Sequence, residues 1–243
     1  MAVNLLGLGD SYAIARSRAE GFLSVSRCGA VLITVLVLGT VASNAQATVL
    51  LSNSASGLSS SASFTISGAA GSRQLKILLT NTDSVTGAGS AIVPSEVVSG
   101  LFFNLGTATF TPVSATLESG AAIIRTNCEH NCTDKTNVGE EFSYASGGVN
   151  WLDEDSQGFS SSGYLIANAN KVNFDGSNYD NPKALDGINF GIVSDGWVAG
   201  SGNGGLDGVA LIEGIVKFVL DIPDGLEETD LNNVYFTYGT SPN

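Results

Sequence analysis

Lysine and arginine together number 10 against 23 aspartates and glutamates, so the chain has little positive charge to offer and carries a net charge of -13. Phosphate backbones and anionic membrane surfaces are repelled by that balance, which argues against nucleic acid as a partner. Histidine occurs once, as His130. A machine that pairs an imidazole with serine or cysteine therefore has a single residue to draw on, and no Gly-x-Ser-x-Gly elbow accompanies it. A solvated loop histidine is the plainer reading. The two tryptophans, Trp151 and Trp197, are few for a sugar-stacking cleft and fit core or lid positions better. Proline is scarce as well, at 5 residues beside 30 glycines, while 43% of the chain is hydrophobic. A disordered, low-complexity chain is excluded by that hydrophobic content, and a folded all-β domain fits it.

Long apolar runs are missing except near the start. Arg16, Arg18 and Arg27 precede an apolar or small run from Ala30 to Val41, and Ala45-Gln46-Ala47 places small residues at the two positions a signal peptidase reads. This is the three-part pattern of a secretory signal peptide with a long basic leader. A membrane anchor is the competing reading, but a span needs about 20 apolar residues and this run is shorter. A transit peptide is a remoter one, prompted by the Arg and Ser content of the leader. The expected organisation is a signal peptide over residues 1–47, cleaved after Ala47 with Ala45 and Ala47 as the recognition pair, and one domain over residues 48–243. Cleavage removes three basic residues and two acidic ones (Asp10, Glu20), leaving 7 against 21 and a mature charge of -14. The mature chain is expected to have no membrane span.

Strand periodicity is clearest between Leu185 and Tyr238. Val216, Phe218, Leu220 and Ile222 alternate with Lys217, Val219 and Asp221, and Val234, Phe236 and Tyr238 alternate with Tyr235 and Thr237, one face apolar and the other wetter. A helical pattern also runs through Leu211, Ile212, Ile215, Val216, Val219 and Leu220, but Gly214 interrupts it and β-branched and aromatic residues dominate. Gly187 to Val193 reads as a third strand. Upstream, Ala62–Ser67 and Gln74–Thr80 read as a hairpin, Gly100–Leu105, Phe110–Leu117, Ala121–Ile124 and Glu141–Ala145 as further strands, and Asn53–Ser61 as a loop after a short first strand at Thr48–Ser52. Pro112 places its strand at an edge or a bulge. Residues 146–183 are rich in Gly, Ser, Asn and Asp and read as a long, partly irregular excursion. The fold class expected from this pattern is all-β: an antiparallel, jelly-roll-like β-sandwich, with the Leu185–Tyr238 strands near its centre.

Several groups could carry chemistry. Cys128-Glu-His-Asn-Cys132 offers two thiols and an imidazole, but a structural zinc site wants four ligands. Export favours a disulfide between Cys128 and Cys132, with free thiols as the remaining alternative. Asp153-Glu154-Asp155 and the set Asp175, Asn178, Asp180 and Asn181 could give oxygens to calcium, yet neither follows the twelve-residue calcium loop. Gly200-Ser-Gly-Asn-Gly-Gly205 has a phosphate-cradling spacing without the strand-then-helix setting that such a loop needs. Asn131-Cys-Thr133 fits a glycosylation sequon, meaningful in a eukaryotic secretory pathway. No cofactor, metal or catalytic residue is expected, although carboxylates in a glycosidase arrangement remain conceivable on such a scaffold.

Taken together, Ser56–Ser67, Leu101-Phe-Phe-Asn-Leu105, Thr111-Pro-Val-Ser-Ala-Thr-Leu117, Glu141-Phe-Ser-Tyr-Ala-Ser146, Leu185–Ile192 with its continuation to Gly205, and Asn233-Val-Tyr-Phe-Thr-Tyr-Gly-Thr240 resemble the bacterial exosortase-dependent surface proteins of the PEP-CTERM class. The resemblance covers almost the whole mature chain. It implies export, a β-rich surface domain and sorting to the envelope or to an extracellular polysaccharide matrix, with no catalytic residues to transfer. Members continue into a Pro-Glu-Pro motif, an apolar helix and a basic tail, whereas this sequence stops at Asn243, so a released or truncated form is expected rather than an anchored one. The expected function is that of an exported, non-enzymatic surface or extracellular-matrix protein, structural or adhesive. Its expected partners are extracellular polysaccharide or other surface proteins. A carbohydrate-active enzyme or carbohydrate-binding module on the same scaffold is the alternative.

Overall fold

The structure is a computed structural model and describes residues 48–55, 58–83, 93–124, 135–146, 156–162, 164–167, 170–173, 177–179, 188–197, 204–206 and 208–239. In chain order its strands are β1 (Thr48–Ala55), β2 (Leu58–Ser67), β3 (Gln74–Asn81), β4 (Val98–Asn104), β5 (Thr111–Leu117), β6 (Ala122–Ile124), β7 (Ser143–Ser146), β8 (Gln157–Ser160), β9 (Tyr164–Ala167), β10 (Asn170–Asn173), β11 (Ser177–Asn178), β12 (Ile192–Val193), β13 (Leu211–Glu213), β14 (Val216–Asp221) and β15 (Asn232–Tyr238). The domain is an all-β sandwich. One sheet has the order β1-β2-β3-β14-β5 and is antiparallel throughout. The other runs β11-β7-β8-β4-β12-β13-β6, with β15 also on β4. β9 and β10 form a separate hairpin.

Alternation explains the first sheet. Leu75, Ile77 and Leu79 of β3, Val216, Phe218 and Leu220 of β14, and Ala62, Phe64 and Ile66 of β2 are all buried, while Lys76 and Asp221 on the opposite face reach solvent. Aromatic rings join this face to the second sheet. Phe218 stacks on Phe159 at 3.6 Å between centroids and meets Phe142 edge-on at 5.0 Å, and Phe64 meets Phe103 edge-on at 5.4 Å. Each such pair adds about 0.5–1.5 kcal/mol beyond the area it buries. The second sheet is apolar on both faces where it curls. Val98, Ile192 and Ile212 enter the main core, whereas their neighbours Val97, Val193 and Leu211 pack with Ile188, Trp197 and Leu206 in a second cluster.

Several expectations hold and several are corrected. The helical pattern across 211–220 is broken at Gly214, whose φ of +99° suits glycine, so two strands form there. Pro112 is both on an edge strand and at a bulge: β5 pairs only with β14 among the sheet's strands, and the register shifts between Val219 and Leu220. Where a loop is expected over Asn53–Ser61, the described residues are ladder, with Ser52 to Ala55 paired to Ser61 through Leu58. Of the expected strand Gly187–Val193, the described residues 188–193 are strand only at Ile192–Val193. Ile188 to Phe190 form a turn, in which Asn189 Oδ1 accepts the Ala210 N–H at 3.0 Å and Phe190 sits at φ +59°. The stretch read as irregular contains β8, buried between β4 and β7. One pairing is parallel, β12 with β13. Of the strands expected near the centre, β14 and β12 are internal, while β15 is attached to β4 alone.

Candidate functional site at the corner between the sheets

Two chain turns bring polar residues to the corner where β3 ends, β2 begins and β15 finishes. Asn81, the last residue of β3 and buried, spends its whole carboxamide there. Its Nδ2 donates to Glu96 O at 2.9 Å and to Ile192 O at 3.2 Å, and its Oδ1 accepts the Asp83 N–H at 3.0 Å. One side chain thereby ties the first sheet to the turn before β4 and to β12 of the second. Pro94–Glu96 forms that turn as a single 3-10 turn, with the Glu96 carboxylate accepting the Val93 N–H at 3.1 Å. From β15, Tyr238 hydrogen-bonds through its hydroxyl to Ser60 Oγ, and Thr237 Oγ1 lies 3.4 Å from Ser99 Oγ. Ser59 Oγ and Thr82 Oγ1 are 2.6 Å apart beside them.

Asp83 completes the group and is the carboxylic acid most displaced from ordinary behaviour among the described residues. Burial pushes its pKa up to about 6; a hydrogen bond from the Ser59 backbone works against that, and the Glu96 carboxylate adds to it. Tyr238 is pushed up to about 12, chiefly by burial, with the Ser60 hydroxyl lowering it and the Asp83 charge raising it. The corner thus holds one acid that changes charge near pH 6 and a phenol that stays neutral at any ordinary pH. It can exchange a proton near neutrality, and it joins two sheets.

A second polar group is sealed inside the core. The Tyr144 hydroxyl donates to Gln157 Oε1 at 2.5 Å, and the Phe110 N–H reaches the Tyr144 oxygen at 3.4 Å. Gln157 Nε2, the Tyr179 hydroxyl, Ser143 Oγ and Ser156 Oγ are buried with no partner among the described residues. Tyr179 stays protonated, its pKa raised well above the usual value by burial and then by Tyr144. Other carboxylates close turns. Asp224 takes the Gly71 N–H at 2.9 Å, Asp230 the Glu227 N–H at 3.1 Å, Glu228 the Ile66 N–H at 2.7 Å, and Asp221 accepts from Gln74 at 3.0 Å. Lys135 pairs with Glu140 and Glu141 and lies 5.1 Å above the Phe190 ring.

Most of the residues singled out from the sequence fall outside the described residues: Ala45 and Ala47, Cys128, His130 and Cys132, the sequon at Asn131, Trp151, Asp153 to Asp155, Asp175, Asp180, Asn181, and Gly200 to Asn203. Asn178 lies in β11, and Gly204 to Leu206 form a 3-10 turn. Trp197 is 4% exposed and packs in the second apolar cluster, a core position as expected. The corner was missed. Asn81-Thr-Asp83 carries no motif of its own, and its partners come from four other segments. Among the described residues no group of three His, Cys, Asp or Glu side chains could hold a metal ion, and no helix is long and apolar enough to cross a membrane. No known family, curated protein or solved structure matches this chain.

Proposed function

We propose that the chain is an exported, non-enzymatic protein of the bacterial cell surface or extracellular matrix, with a structural or adhesive role. It is read as a member of the exosortase-dependent class it resembles, met by extracellular polysaccharide or other surface proteins. The observation that carries the reading is the use made of carboxylates. Asp224, Asp230, Glu96 and Glu228 each accept a backbone N–H, work that closes turns and strand ends and leaves those oxygens engaged. The N-terminal three-part pattern and the acidic, lysine-poor composition support export. A disulfide between Cys128 and Cys132 belongs to the same reading, since an oxidising compartment would form it.

Asp83 gives the alternative its footing, because a carboxylic acid displaced toward neutrality beside a second carboxylate is what glycoside hydrolysis employs. A screen of the purified exported chain against a panel of bacterial and plant polysaccharides separates the readings. Retention on a polysaccharide without release of reducing ends fits the matrix role. Turnover that vanishes in Asp83→Asn would overturn it.

A further inference from the structure

Ile66, near the end of β2, donates its backbone N–H to Glu228 Oε1 at 2.7 Å, a carboxylate 162 residues further along the chain. The direction of that N–H follows from the ladder. Thr82 N–H donates to Ser59 O across the β2–β3 pair, so Ser59, Ser61, Ser63 and Thr65 bond toward β3 and the residues between them, Ile66 included, bond toward β1. β1 begins at Thr48 opposite Thr65, where the two threonine hydroxyls stand 3.1 Å apart. One step back, a ladder continued in the same register would offer the carbonyl oxygen of residue 47 to this N–H. The Glu228 carboxylate has that hydrogen bond.

The position matters for what lies beside it. A carbonyl oxygen and the nitrogen of the following residue belong to one peptide unit, with C=O about 1.23 Å and C–N about 1.33 Å. A carboxylate oxygen seated where the carbonyl of residue 47 would accept is therefore within reach of the Thr48 nitrogen. Glu228 is 7% exposed, and a buried carboxylate without a cation is costly. Among the described residues no Lys or Arg forms an ion pair with Glu228, and the Arg73 Nε is itself buried with no partner. Arg73 pairs with Glu227 at 3.6 Å and donates to Leu226 O at 2.9 Å, and Lys76, opposite Thr65, is exposed on the outer face. Asp230, in the same turn as Glu228, already holds the Glu227 N–H.

The geometry points to Glu228 as the seat of the α-ammonium created on Thr48 when residues 1–47 are removed. The inference rests on the reading of the chain as exported and processed after Ala47. The step is hydrolysis of the Ala47–Thr48 amide in a peptidase: water adds to the Ala47 carbonyl carbon, the C–N bond breaks, Ala47 leaves as a carboxylate and the Thr48 nitrogen leaves protonated. The new cation arises beside the buried anion. Processing thus completes an ion pair and seals the first corner of the β1–β2 ladder, coupling maturation to stability.

The test uses the full chain expressed in an exporting bacterium, with the product recovered and its first residue read by terminal sequencing. Thr48 is the expected first residue. The Thr48 α-amine should titrate above its ordinary range of about 7.7–8.0, followed by amine-selective isotope labelling and nuclear magnetic resonance. Glu228→Gln keeps an oxygen for the Ile66 N–H and removes the charge. Comparing both proteins with and without an acetyl group on Thr48 should reveal a coupling of about tenfold in the folding equilibrium, present only when ammonium and carboxylate coexist. A first residue other than Thr48 overturns the processing premise. Thr48 first, with an ordinary α-amine and no coupling, overturns the ammonium seat while leaving export intact. Should the Gln variant fail to fold, the titration of the unsubstituted protein decides alone.

Discussion

Asp83 is a group whose folded pKa lies above its unfolded one, about 6 against 3.8. The folded state binds that proton more tightly, so the stability the carboxyl contributes is fully present below about pH 4 and is lost as pH rises through about 6. Asp83→Asn, which keeps an oxygen for the Ser59 N–H, is expected to melt above the parent at pH 7.5 and close to it at pH 4. Thermal melts of both proteins across that range check this, and a constant offset would refute it. Asn81 is the opposite case, a neutral side chain with every bond made. Asn81→Leu leaves the Glu96 and Ile192 carbonyls and the Asp83 N–H without their partner and should cost about 3 kcal/mol in urea unfolding. A loss under about 0.5 kcal/mol would mean that the inter-sheet tie carries little. Neither residue could be recognised beforehand, because the environment of Asp83 is built by Ser59, Glu96 and Tyr238, which only the fold brings together.

The elements that were legible are those whose side chains announce their own burial. β3 and β14 alternate, and Gly214 marks the break between β13 and β14; β15 alternates in sequence, but its one buried residue is Thr237, with Val234, Phe236 and Tyr238 only partly buried against the core. β8 has no such signal: Gln157-Gly-Phe-Ser160 holds one large apolar side chain, yet all four residues are buried because β4 and β7 flank them. Its glycine is what allows the approach. A Cβ on Gly158 would stand 2.2 Å from Leu101 O and 2.7 Å from Phe102 Cα, both backbone atoms that cannot step aside. Gly158→Ala should therefore destabilise by about 2–3 kcal/mol or prevent folding, and a variant as stable as the parent in denaturant would contradict the close packing of β4 on β8. Gly187–Val193 misled in the other direction. Its apolar content reflects two faces packed against two clusters, and the chain turns through Ile188–Phe190 before two residues of strand.

Across the whole molecule the balance of charge is one-sided, with 23 acidic residues against 10 basic. Self-repulsion weakens the compact state more than the open one, and salt relieves it. Raising ionic strength from 0.01 M to 0.1 M shortens the screening length from about 30 Å to about 10 Å, and a gain of about 1 kcal/mol would lift Tm by about 2–4 °C. Melting curves at the two salt levels test this; an unchanged or lower Tm would show that the ion pairs of Lys135 with Glu140 and Glu141 and of Lys217 with Glu118, at 2.8 Å, outweigh the repulsion.

The order of the strands sets a clock for folding. β3 waits for β14 and β4 waits for β15, and the Ser60–Tyr238 bond joins residues 178 positions apart. At a synthesis rate of about 5–20 residues per second, roughly ten seconds or more pass between the making of one partner and the other. During that interval β3 is paired with β2 on one edge while its other edge is open, and the first sheet is incomplete. A nascent chain of this topology completes neither sheet until β14 and β15 have been made.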